Sequence, residues 1–76
     1  MNGNIVIIVT NRRGKIVDSM VFQRSKYDSA DNYERAIARK IGSFEQRYSA
    51  SHYRIHQGSA SDVSSFLTVY PELARP

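Results

Sequence analysis

Ile5-Val6-Ile7-Ile8-Val9 and the following Thr10 form a β-branched run too short for a helix and apolar on both sides. Such a run predicts a strand with both faces covered, hence a central one. In Asn11-Arg12-Arg13-Gly14-Lys15, asparagine suits the first position of a type I turn. Glycine suits the left-handed residue of the bulge that closes a hairpin. The two arginines then sit at the tip. Lys15 to Phe22 is expected to return as a second strand, with Ile16, Met20 and Phe22 on one face and Val17, Ser19 and Val21 on the other. Asp18 interrupts the first face, as suits a strand near the sheet edge.

Gln23 to Tyr27 is a polar link. Asp28-Ser29 then offers an N-cap, and Asp31 places negative charge in the first turn, where the helix dipole favours it. Ala30, Tyr33, Ile37, Ile41, Phe44 and Tyr48 recur at spacings of three and four, one helical stripe to pack on the sheet. Arg35, Arg39 and Gln46 fall opposite that stripe, Lys40 and Arg47 flank it, and Gly42 lies on the outward side. Ser51 to Gln57 reads as a third strand in which Tyr53 and Ile55 alternate with His52, Arg54 and His56. Gly58-Ser59-Ala60-Ser61 then breaks the pattern. Val63, Phe66, Leu67 and Tyr70 have helical spacing after a Ser61 cap, although Phe66 to Tyr70 taken alone is strand-prone. The spacing favours a helix ending near Pro71. The expected fold is α+β: one small antiparallel sheet with one main helix packed on it, order β-β-α-β and then a short C-terminal α.

The chain has 76 residues and no cysteine. It is therefore read as a single domain with neither disulfides nor a thiolate metal site. A domain of this size buries only about 60% of the surface its unfolded chain exposes, so monomer and homodimer are both open. With 41% hydrophobic and 24% charged residues, the composition is that of a globular chain and not a disordered one. Five residues are far too few for a membrane span, and Met-Asn-Gly-Asn lacks a basic region before a long apolar one, so a cytoplasmic location is expected.

Charge is localised. Of the 11 Lys and Arg residues only Arg75 lies beyond Arg54, so within the formal charge of +4 the stretch from Arg12 to Arg54 carries ten basic against five acidic residues and the rest of the chain one basic against two acidic. The basic and aromatic positions read as candidate binding residues are Arg12, Arg13 and Lys15 at the hairpin tip, Arg24, Lys26 and Tyr27 in the link, Arg35, Arg39, Lys40 and Arg47 on the helix, and Arg54 on the third strand. Arginine's planar fork suits phosphate and carboxylate better than a lysine point charge does. The competing reading is an ordinary solvated helix face, with Asp31 four residues before Arg35 at ion-pair spacing. The hairpin tip leans toward binding, because the turn itself does not require two adjacent exposed arginines.

Catalytic inventory is sparse. The sequence contains no Gly-x-Ser-x-Gly elbow, no GxxxxGK[ST] loop and no GxGxxG fingerprint. His52 and His56 would stand about 13 Å apart along a strand, too far to hold one ion. One of them acting as general base, as in a small ribonuclease-type toxin, is a third reading behind a binding module and a direct DNA- or RNA-binding module. No RNP-type aromatic motif is present. No enzyme activity, cofactor or metal is expected.

The hairpin Ile5 to Phe22, the helix entry Asp28-Ser29-Ala30-Asp31-Asn32-Tyr33-Glu34-Arg35-Ala36 and the strand after it resemble, in size and element order, small phage-encoded inhibitors such as some anti-CRISPR proteins and inhibitors of host RNA polymerase. The resemblance covers about residues 5 to 57 and transfers no functional residue. It implies a protein of the host cytoplasm that blocks a host protein or ribonucleoprotein complex by binding. The basic charge argues against the DNA-mimic kind, which needs an acidic surface.

Overall fold

A computed structural model describes residues 4–69. The elements are β1 (Ile5–Asn11), β2 (Ile16–Phe22), a 3-10 turn (Arg24–Lys26), α1 (Ala30–Arg47), β3 (Tyr53–Ser59) and α2 (Val63–Val69). The three strands form one antiparallel sheet in the order β2-β1-β3. The apolar run is thus central, and the fold is α+β with the expected element order. Tyr70 and Pro71, where the C-terminal helix was expected to end, lie outside the described residues. No described helix is long and apolar enough to cross a membrane.

Both faces of β1 are buried, each by a different helix. Ile7 and Val9 pack with Phe22, Tyr33, Ile37 and Phe44 under α1. Val6 and Ile8 pack with Phe66 under α2, and Ile16, Val21, Val63 and Leu67 surround them. Val6, Ile7, Ile8 and Val9 are 0% exposed, and burying each such side chain contributes about 1.5–3 kcal/mol. The α1 stripe follows the expected spacing, with Tyr33, Ile37 and Phe44 buried, while Ala30 at its start is exposed. Ser29 caps this helix by accepting the Asn32 N–H at 3.1 Å. Gly42 faces open space, so its lack of a side chain serves no close approach.

The hairpin has the expected chemistry. Gly14 has φ +83°, its N–H donates to the Asn11 carbonyl at 2.9 Å, and the Asn11 N–H donates to the Lys15 carbonyl at 2.9 Å. Asn11 Oδ1 also accepts the N–H groups of Arg13 and Lys15, each at 3.0 Å. A separate bulge at Val17 has a consequence that strict alternation misses. The register steps from Val9 opposite Asp18 to Thr10 opposite Ile16, passing over Val17. Ile16 is thereby turned away from Met20 and Phe22 onto the α2 face, where it joins the Val6, Ile8 and Phe66 cluster. Placing Ile16 on one face with Met20 and Phe22 is corrected accordingly, since one extra residue reverses the alternation.

Two further expectations are corrected at the C-terminal end. β3 continues through Gly58 and Ser59 instead of breaking there, because Gly58 lies opposite Val6 under Phe66. A Cβ at Gly58 would fall 2.7 Å from Phe66 Cε2, so the glycine admits the ring against the sheet. The cap of α2 is Asp62 and not Ser61. Asp62 Oδ1 accepts the Ser65 N–H at 2.8 Å, whereas the Ser61 hydroxyl pairs with that of Ser65 at 3.0 Å.

Candidate binding site at the hairpin end

Residues directly opposite each other in a sheet share a face. Register therefore puts Thr10 and Arg54 together, with His56 one pleat along, on the α2 side. The end of this face holding Val6 and Gly58 is covered by Phe66. The end nearer the hairpin is open and forms a cleft of about 410 Å³. Its walls include Thr10 on β1, Arg12 and Gly14 in the hairpin, Ser51 and His52 in the α1–β3 turn, and Arg54 and His56 on β3. A second cleft of about 380 Å³ lies alongside, lined by Asn11, Arg12, Arg13, His52 and Tyr53. Among the described residues no carboxylate lines either cleft.

Thr10 is 2% exposed, the one buried polar or charged residue among those described. Its Oγ1 lies 2.9 Å from His56 Nε2. A buried hydroxyl needs a hydrogen-bond partner, and this one fixes the half-buried imidazole against the cleft wall. The hairpin amides of Arg13, Gly14 and Lys15 are already committed to Asn11. The first cleft is roughly 7 Å across, taken as the cube root of its volume, which is within the ~8 Å screening length of physiological salt. Its cations therefore act on a bound anion together. Among the described residues no three His, Asp or Glu side chains converge as metal ligands.

The eleven positions singled out in the sequence do not make one surface. Arg12, Arg13, Lys15 and Arg54 are exposed at the hairpin end. Arg35 and Arg39 are exposed on the solvent side of α1, across the sheet from Arg54. Lys26 is exposed in the 3-10 turn. Three others are engaged in holding the fold. Arg24 donates to the Tyr27 carbonyl at 2.9 Å and lies 5.8 Å from the centre of the Tyr33 ring. Lys40 Nζ sits 4.7 Å above Phe44, and Arg47 is 3.7 Å from Asp18. Tyr27, expected as an exposed stacking aromatic, is half-buried against the core, with ring centres 6.5 Å from Phe22 and 5.4 Å from Tyr33. Asp18 also accepts the Tyr48 hydroxyl at 2.8 Å, and that bond to the carboxylate holds the Tyr48 phenol above its ordinary range. The carboxylate nearest the hairpin in sequence is thus occupied by Tyr48 and Arg47.

His52 and His56, which the sequence places with Tyr53 and Arg54 in the basic and aromatic set, complete the site together with Thr10. A signal existed for His56, which alternates with Arg54 on the polar face of β3. Thr10 gave none, because its partner is 46 residues away. Comparison with protein-family models, with curated proteins and with solved structures returned no match to this chain.

Proposed function

We propose that this chain is a small non-enzymatic binding module that docks on a protein or ribonucleoprotein complex through the basic hairpin end and blocks it. The observation that carries this reading is the convergence of Arg12, Arg13, Lys15 and Arg54 on one end of the sheet. Among the described residues none of them makes an ion pair and no acid lines the clefts between them. The helix cations contribute less, since Lys40 and Arg47 are held in intramolecular contacts and Arg35 and Arg39 point elsewhere. The non-enzymatic sense rests on the sequence, which carries no nucleophile elbow, phosphate loop or dinucleotide fingerprint. The inhibitory sense of the binding comes from the likeness in size and element order to phage inhibitors.

The test is recovery of a defined complex from bacterial lysate by the tagged protein, with and without nuclease, using Arg12→Glu/Arg13→Glu beside Arg35→Glu/Arg39→Glu. Loss of the complex with the hairpin variant and retention with the helix variant is expected. Undiminished recovery with the hairpin variant would overturn the assignment.

A further inference from the structure

The two clefts are not independent. They share Asn11, Arg12, His52 and Tyr53, so they form a continuous basic track around the hairpin end, from Arg54 and His56 on the α2 side of β3 to Arg13 beyond the turn. We propose that this track binds a single-stranded nucleic-acid segment, with one phosphate in each cleft. The inference rests on the hairpin end being the binding surface, and it names the partner's chemistry as phosphodiester.

Three features favour phosphate over the carboxylates of an acidic protein. First, the polar side chains enter the larger cleft from separate walls: Arg12 from the hairpin, His52 from the α1–β3 turn, Arg54 and His56 from β3. A phosphodiester carries its charge on two non-bridging oxygens and has two weaker ester acceptors at the other tetrahedral corners, while a carboxylate keeps both of its oxygens in one plane. Second, the larger site is a partly enclosed cleft and the smaller a shallow surface beside it. At about 410 Å³ the cleft stands near the lower limit for ligand clefts, roughly 300–1,000 Å³, which is room for one nucleotide-sized group. Third, two basic clefts in series match a polymer that repeats its charge, as a strand in an electrostatic groove does. Tyr53 borders both, but its ring packs on the α1 side of the sheet, 4.9 Å from that of Tyr48, so recognition rests on the cations and not on stacking.

The experiment is fluorescence-anisotropy titration of a labelled ten-nucleotide single strand over a range of salt. Wild type, Arg54→Ala and Arg35→Ala/Arg39→Ala are compared, with a mononucleotide and a ten-residue polyglutamate as competitors. Two phosphates on a single strand predict a slope of log K against log salt of about −1.4, from roughly 0.7 per phosphate. Arg54→Ala should halve that slope and weaken binding about tenfold, the loss of one charge-assisted contact. The helix variant should leave both unchanged. A mononucleotide competing at the same concentration as the strand would overturn the two-cleft track, and equal competition by polyglutamate would overturn phosphate selectivity. Absence of strand binding by a protein that still recovers its complex through Arg12 and Arg13 would overturn this inference and leave the hairpin reading standing. Recovery indifferent to Arg12 and Arg13 would remove the hairpin reading itself.

Discussion

Replacing Gly58 by alanine isolates the contact that fixes α2 to the sheet. The new Cβ would lie 2.7 Å from Phe66 Cε2 and 3.5 Å from two further ring atoms. Phe66 is 2% exposed and enclosed by Val6 and Ile8 and by Val63 and Leu67, so the ring cannot step aside without moving α2. Forcing an extra carbon into a packed site costs about 1–3 kcal/mol. Against that stands about 0.4–1 kcal/mol gained by restricting the unfolded chain, because Gly58 does not have a positive φ. The net expectation is a loss of about 1–2 kcal/mol. At about 4–8 °C per kcal/mol for a domain of this size, that lowers the melting temperature by about 5–15 °C. The assay is thermal and urea unfolding followed by circular dichroism, with amide exchange to localise the damage to residues 63–69. In a Phe66→Leu background, where the ring is gone, the same glycine substitution should cost almost nothing. A Gly58→Ala protein melting within about 2 °C of the parent, or an equal cost in both backgrounds, would refute the packing argument.

Asp62 is held below the ordinary carboxylate range, first by the backbone N–H of Ser65 and then by its hydroxyl. A depressed carboxyl contributes stability that is complete above its unfolded value of 3.8 and is lost as pH falls through the folded one. Amide protection of α2 should therefore fall on acidification before that of the sheet, and Asp62→Asn, still a capping acceptor, should remove this pH dependence. Burial pushes the Tyr33 phenol up, so its contribution is intact below about pH 10, the ordinary value, and is lost as pH rises through the raised one. The alkaline limb of the stability profile should flatten in Tyr33→Phe, read by unfolding curves beside the phenolate absorbance titration. At neutral pH that variant should lose about 1–2 kcal/mol, because the buried Phe22 carbonyl is deprived of the Tyr33 hydroxyl it accepts at 3.0 Å. Gly14→Ala, at φ +83°, should cost about 1–2 kcal/mol in urea unfolding.

Much of the fold is legible from local rules. The β-branched run from Ile5, the Asn11 to Gly14 turn and the three-and-four spacing from Tyr33 to Phe44 each carry their structure in adjacent residues. The misassigned positions depend on packing and register that periodicity does not report. Ile16 changes face because the bulge consumes Val17 against β1, and β3 runs through Gly58 because Phe66 needs the space. Tyr27 is taken inward by Phe22 and Tyr33. The candidate site divides in the same way. Arg12, Arg13 and Arg54 are readable as exposed cations, and Lys40 stands four residues before Phe44 at the spacing that lets helical side chains meet, but the pairing of Arg47 with Asp18 is not revealed by spacing.

The sequence by itself determined the element order, the central position of β1 and the concentration of positive charge before residue 55, because periodicity and composition are properties of neighbouring residues. Only the tertiary structure decided where that charge gathers. Pairing β3 with β1 sets Arg54 opposite Thr10 and brings the α1–β3 turn beside the hairpin, while α2 covers only the far end of the same face. The clefts are what that partial covering leaves open, and their shape follows from contacts between residues more than forty positions apart.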